Sequence, residues 1–256
     1  MPGPALIETR NLVKRYGDKM AVNNVSLDVN GGEVFGFLGP NGAGKTTTIK
    51  MIVGLLQPTS GTVKVAGYDV QTQPLLAKAS CGYVPDTPNL YAKLTGRELL
   101  RFVGDLYDLD RKQAAQRTDE LLRMFDLTAA ADDTVDSYSH GMQQKASLAS
   151  ALMHDPKVLV LDEPTVGLDP KSARLIKDIL RQMADRGAAV FLSTHILEIA
   201  ERMCDRIGII NKGELVAVGT MNELRSLGKA GEVSLEDIFL GLTGGAEEAE
   251  IAEILK

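Results

Sequence analysis

Two segments near the start of the chain, LIETRNLVKRYG and NNVSLDVN, alternate apolar and polar residues and predict short antiparallel strands, one face buried and one wet. A different texture follows. VFGFL (34–38) is an apolar run, GTVKVAGYDV reads as another strand, and KVLVLD (157–162) is apolar throughout, as in a strand covered on both faces of a parallel sheet. Helical spacing alternates with these runs. Ile49, Ile52, Val53 and Leu56 mark one helical face that ends near Pro58, and Pro170 opens a helix whose face is Ile176, Ile179, Leu180 and Met183. AAVFLST predicts a strand, HILEIAERM a helix, and RIGIINKGELVAVG a hairpin.

Between residues 94 and 154 the strand pattern lapses. Thr95 and Glu98 form a capping box, with Leu94 and Leu99 placed as a hydrophobic staple. Leu99, Phe102, Val103 and Leu106 continue as an apolar stripe, and RKQAAQRTDELLRMFDL and MQQKASLASALM keep the helical period. The pattern therefore predicts an α/β protein with a parallel sheet, an antiparallel β portion at its start, and a helical lobe (94–154) inserted between strands. The tail GGAEEAEIAEILK is acidic and predicts a loosely held helix or a disordered end, so that 1–243 forms one domain and 244–256 a tail.

Composition narrows the classes. The chain has 256 residues, 44% hydrophobic and 24% charged, which is enough for a large core, and its net charge of −6 gives a nucleic-acid partner no electrostatic support. Cys81 and Cys204 are far apart and have no Cys/His neighbours, which reads as two core residues in a reducing compartment. MPGPALIETR lacks a basic segment followed by an apolar one, and no stretch reaches the roughly 18 apolar residues needed to span a bilayer. Any membrane role is expected to run through a partner.

Chemistry enters at GPNGAGKTT (39–47), directly after VFGFL and before the helical face. Glycines permit a sharp bend whose N–H groups approach a ligand, and the following helix adds the positive end of its dipole. Gly39, Gly42, Gly44, Lys45 and Thr46 fit G-x-x-x-x-G-K-[ST], with Lys45 aimed at the β- and γ-phosphates and Thr46 at Mg²⁺. Asp162 and Glu163, leaving the apolar strand KVLVLDE, supply a carboxylate for the metal shell and a general base for water. NKGE (211–214) superficially resembles the guanine-reading NKxD, but it ends in glutamate between two strand patterns and reads as a hairpin turn; adenine is expected over guanine.

With YSHGMQQ (138–144) upstream of KVLVLDEP, the chain resembles the ATP-binding cassette (ABC) family over roughly residues 5 to 243. The resemblance implies a P-loop NTPase with a RecA-like core, an N-terminal antiparallel β subdomain and an inserted α-helical subdomain. It implies that Tyr16 stacks on adenine, and that Gly39, Pro40, Asn41, Gly42, Ala43, Gly44, Lys45, Thr46 and Thr47 hold the phosphates. It places Ser139, Gly141 and Gln143 in a signature that caps the γ-phosphate of ATP bound to the other protomer. Asp169, in GLDP, would work across the dimer interface, and His195, in STH, would contact the γ-phosphate. Taken alone, Tyr16 would read as packing and His195 as a helix cap; Ser139 could also be a simple N-cap.

One position departs from the family pattern. GYVPD puts Asp86 where the family has a glutamine that touches Mg²⁺. Aspartate is a good Mg²⁺ ligand, yet two like charges about 4 Å apart repel by up to about 4 kcal/mol at an effective dielectric of 20. Asp86 either meets the metal, directly or through water, or turns away to cap the TPNLY turn.

The resemblance further implies a head-to-tail homodimer or heterodimer around two ATP and Mg²⁺, driving alternating access of a separate membrane permease from the cytoplasmic face of the membrane. LEDIFLGLTGG resembles the ends of exporter-type cassettes. Tyr91 and Leu94 are candidate permease contacts, or else core residues of the lobe. Two competing classes remain in view. A nucleic-acid-directed cassette would carry long coiled coils, zinc cysteines or a second cassette, none of which the sequence has; Glu163 argues against a regulatory subunit with little turnover, while Asp86 leaves that reading open.

Overall fold

The computed structural model describes residues 3–226 and 234–243; the acidic tail 244–256 therefore lies outside the described residues. β1 (Ala5–Tyr16) and β2 (Lys19–Asn30) pair antiparallel. At 12 residues each they are longer than the alternation alone suggested. A bulge at Asn11, which adopts φ +48°, donates its N–H to Ser26 Oγ at 2.8 Å and bends the strand without ending it. β4 (Ser60–Val65) and β5 (Tyr68–Asp69) complete a four-stranded sheet in the order β2-β1-β4-β5. GTVKVAGYDV is thus a hairpin rather than one strand. Ala66 and Gly67, at φ +50° and +84°, form the tight turn that matches strand twist.

The second sheet holds the centre of the molecule. β3 (Val34–Leu38), β6 (Cys81–Val84), β7 (Val158–Asp162), β8 (Ala189–Thr194) and β9 (Arg206–Asn211) run parallel, and β10 (Glu214–Gly219) returns antiparallel at the edge, in the order β10-β9-β3-β8-β7-β6. Every residue of β3, β7 and β8 is buried, because both faces are covered. Phe35 and Phe37 point toward the antiparallel sheet and stack on Phe191 at 5.7 and 5.2 Å, while Val34 and Leu38 join apolar clusters on the other face. Gly36 lies where a Cβ would meet Cys204 Sγ at 2.7 Å, so the strand makes room for that thiol; Cys81 and Cys204 are both free.

The helix after the loop, α1 (Lys45–Ile52), stops earlier than its apolar spacing suggested. Val53 caps it and Gly54, at φ +68°, turns the chain, so that Leu56 joins the core from beyond the helix. α2 (Pro74–Ala79) leads into β6. Between β6 and β7 come α3 (Gly96–Leu106), α4 (Arg111–Met124) and α5 (His140–Ala151), which form the helical insert. The Thr95–Glu98 capping box is present, and Leu94 packs against the insert's core with Leu99 inside it. The remaining helices are α6 (Pro170–Asp185), α7 (Leu197–Met203), α8 (Met221–Ser226) and α9 (Leu235–Thr243). No helix among the described residues is long and apolar enough to cross a membrane.

Candidate nucleotide site

The site lies at the carboxyl ends of the parallel strands, where open α/β sheets bind ligands. β3 ends at Leu38, and a Cβ on Gly39 would meet the Ile210 carbonyl at 2.4 Å, so only glycine lets the loop leave the sheet here. Gly44 has φ +110°, and a Cβ there would come within 2.6 Å of the Ala21 carbonyl. Because Gly44 caps α1 without a side chain, the first-turn N–H groups of the helix stay open toward the hollow of the loop. The loop is fastened from outside as well: Gly213, in the β9–β10 turn, donates to the Ala43 carbonyl at 2.9 Å.

Lys45 is buried, and its Nζ donates to the Gly39 carbonyl at 2.6 Å and lies 3.8 Å from Glu163 Oε1. Burial lowers its pKa, and Glu163 and Asp162 act in the opposite direction. These residues share a cleft of about 690 Å³ with Tyr16, Pro40, Thr46, Thr47 and Asp86. Tyr16 ends β1, half exposed, with Lys14 Nζ 5.2 Å from its ring centroid.

Asp162 is buried at the end of β7. Its Oδ1 accepts from the Ser193 hydroxyl, while its Oδ2 has no partner among the described residues. Glu163 follows at φ +51°, its N–H reaching Ser193 Oγ at 3.2 Å. Glu163 Oε1 accepts from His195 Nδ1 at 2.9 Å, and Oε2 is buried without a partner among the described residues. The histidine is thereby tied to the glutamate.

The donors fit Mg²⁺. The Thr46 hydroxyl, the unpartnered Asp162 oxygen and Asp86 are hard oxygens facing one cleft, and Mg²⁺ binds through one or two carboxylates plus substrate phosphates rather than in an all-protein cage.

Asp86 divides its oxygens. Oδ1 accepts from the Thr87 N–H at 2.7 Å, at the start of the TPNLY turn, and the residue also lines the cleft. Burial, with Asp162 and Asp86 nearby, pushes the Tyr83 phenol up to about 12.

The signature residues stand elsewhere, outside the lining of this cleft. Ser139 caps α5, its Oγ accepting from the Met142 N–H at 3.3 Å. Gln143 turns its amide inward, donating to the Val135 and Tyr138 carbonyls at 3.4 and 3.3 Å. Gly141 has only Leu168 Cδ2, at 3.7 Å, near the place of a Cβ, and the His140 ring lies 3.0 Å from the corresponding point on Gly167. The 139–143 and 167–169 segments thus form one edge. Asp169 caps α6: its oxygens accept from Ser172 N–H at 3.0 Å and Ser172 Oγ at 2.6 Å, and these bonds lower its pKa.

Two features in and behind the cleft escaped the sequence reading. Ser193 gave no signal inside an apolar strand, though it pairs in register with Asp162. Lys212, singled out as part of a turn, also faces the nucleotide cleft. A second groove of about 610 Å³ opens between the sheet and the helical insert, with Asp86, Leu90, Leu106 and His154 on its walls. Near it, Tyr91 is 61% exposed and meets the Phe102 ring at 5.0 Å; Leu94 packs inward.

Fold, loop and acidic pair together define a P-loop nucleotide-binding protein. Residues 22–166 match the family model for ABC transporters. The chain is 42% identical over 221 residues to the linearmycin resistance ATP-binding protein LnrL of Bacillus subtilis (strain 168), covering 86% of this chain and 71% of that one. It is 43% identical over 220 residues to the Nod factor export ATP-binding protein I of Burkholderia lata, covering 86% and 72%. Among solved structures, it resembles a dimeric ATP-binding cassette in a post-hydrolysis state bound to ADP and Pi, with TM-score 0.78 and 26% identity over 84% of this chain and 98% of that one. The chain belongs to the ABC transporter family. It is the ATP-binding subunit, an ATPase.

Proposed function

We propose that the chain is the motor of an exporter whose permease is a separate polypeptide, held at the cytoplasmic face of the membrane, with residues 1–243 acting as one cassette. The observation that carries this reading is the shared cleft. Lys45, Thr46, an unpartnered Asp162 oxygen and a Glu163 tied to His195 converge there. Tyr16 offers a face for adenine, and the loop from Gly39 to Thr47 lines the phosphates with N–H groups. Mg²⁺ would be held by Thr46 and Asp162, with Asp86 beside them, and would neutralise charge on the phosphates. Lys45 exchanges its Gly39 carbonyl for phosphate oxygens. Glu163 Oε2, without a partner among the described residues, accepts the proton of the attacking water, while His195 fixes the carboxylate through Oε1.

Ser139, Gly141 and Asp169 lie outside the cleft, which favours a site completed by a second copy or a related cassette, as in the dimeric relative. ATP then closes the pair, and hydrolysis with phosphate release opens it. Export is favoured by the relatives' names. The exposed Tyr91 and the groove beside the helical insert are the surfaces offered to the permease. Glu163→Gln tests the reading: ATP turnover should fall by about 100-fold or more while ATP binding survives. Retained turnover contradicts it.

A further inference from the structure

Ser193 opens the STH segment, in which only His195 was assigned a role, yet it touches both acidic residues. β8 runs beside β7 with Ser193 directly opposite Asp162. The side chain is fully buried. Its hydroxyl proton goes to Asp162 Oδ1, and its oxygen accepts from the Glu163 N–H at 3.2 Å; that N–H also approaches the Ser193 carbonyl at 3.2 Å.

Two consequences follow from the valences of one hydroxyl. Occupying Oδ1 leaves Oδ2 as the Asp162 oxygen without a partner among the described residues, so the carboxylate presents a single oxygen to the cleft. Holding the Glu163 N–H stabilises a backbone at φ +51°, a region that glutamate rarely occupies and that persists only where the surroundings over-determine it. That conformation is what places Glu163 Oε1 beside Lys45 and His195. Among small side chains, serine and threonine can give and accept in this way, whereas alanine can do neither and cysteine does both weakly.

We propose that Ser193 is a positioning residue for ATP hydrolysis: its hydroxyl orients Asp162 toward the metal and pins Glu163 in the conformation that activates water. This rests on the roles given above to Asp162 and Glu163.

The test uses the full chain carrying Ser193→Ala or Ser193→Thr. Three quantities are measured: ATP turnover, equilibrium binding of a non-hydrolysable ATP analogue with and without Mg²⁺, and the melting temperature. Ser193→Ala should lower kcat by about 10- to 100-fold, the range for losing hydrogen bonds to charged groups. Analogue binding without Mg²⁺ should be unchanged, the strengthening that Mg²⁺ confers should shrink, and the melting temperature should move little. Ser193→Thr should recover most of the turnover. Where Ser193→Ala does not fold, Ser193→Cys, similar in volume and weak in hydrogen bonding, takes its place.

Normal turnover and Mg²⁺ dependence in Ser193→Ala overturn the proposal. So does a loss shared by the alanine and threonine variants that follows their melting temperatures. Glu163→Gln run alongside keeps the two readings apart. An active Glu163→Gln removes the reading of the site, whereas an inactive Glu163→Gln beside a normal Ser193→Ala removes only the role of Ser193.

Discussion

Glu163 carries three constraints at once: a left-handed backbone, an oxygen shared between Lys45 and His195, and a second oxygen without a partner among the described residues. A buried carboxylate oxygen without a partner is costly to keep, so its persistence at the mouth of a phosphate loop points to a proton acceptor. Asp86 is the more unusual residue. One of its oxygens accepts from Thr87, and the residue lines the cleft. Asp86→Gln should therefore weaken the apparent Mg²⁺ affinity of ATP turnover by several-fold. It should also tighten Mg²⁺-free ATP binding, since a like charge is removed. A Mg²⁺ titration of the ATPase checks this, and an unchanged midpoint rejects a metal role for Asp86. At this scale the loop and the acidic pair were legible because phosphate chemistry fixes both residue type and spacing. Ser193 was not. Its partners lie across a parallel strand pair, about 30 positions away, and nothing in FLST marks a buried serine as different from its apolar neighbours.

Elements were legible wherever a physical period or a cap was strong. The Thr95 box, the Pro170 helix start and the fully buried central strands all stand as the pattern suggests. The Ala66–Gly67 turn was missed because it lacks the usual Asn-Gly or Asp-Gly signal, and α1 was overextended because Val53 and Leu56 are apolar for core packing beyond the helix end. Asp169 shows one residue serving an element and, we propose, an interface. As N-cap of α6 it holds the first turn through Ser172. Asparagine caps equally well but lacks the charge, so Asp169→Asn should keep the melting temperature and lower the ATPase rate; melting by circular dichroism, paired with turnover, separates the two. Unchanged turnover would leave Asp169 with the cap alone.

His154, just beyond α5, stacks its ring on Tyr107, at the end of α3, at 3.7 Å. Burial pushes its pKa down to about 4 from an ordinary 6.5. The neutral ring is the one the fold accepts, so its contribution is complete above about pH 6.5 and is lost as pH falls toward 4. His154→Phe keeps the stack and removes the titration. Its denaturation midpoint should fall less than wild type between pH 6.5 and 4, by an amount equivalent to about 1–2 kcal/mol once partial exposure is allowed for. Parallel pH profiles for the two proteins would contradict this.

At the scale of the whole molecule, the layout separates what an ATPase must bring together. The loop, Asp86, Asp162 and Glu163 face one cleft, whereas Ser139 and Gly141 stand on an edge with the 167–169 segment. A second copy, turned head to tail, would set its edge over the first copy's cleft. Sequence order showed both parts, but their separation in one chain is a property of the fold. Gly141 is a useful probe, because a side chain there meets its own protomer only at 3.7 Å. Gly141→Asp should leave folding intact while pointing a negative charge at the partner's ATP. Lys45→Ala disables the loop instead.

Each of these variants should be inactive alone. Mixing them makes pairs in which one site carries both defects and the other carries none. The most direct measurement of the central claim is the ATPase rate of the two purified variants combined in equal amounts. The account predicts that activity reappears on mixing, up to about a quarter of the wild-type rate if pairs form at random and sites work independently. No recovery at concentrations where the wild type is dimeric would contradict a site shared between two copies.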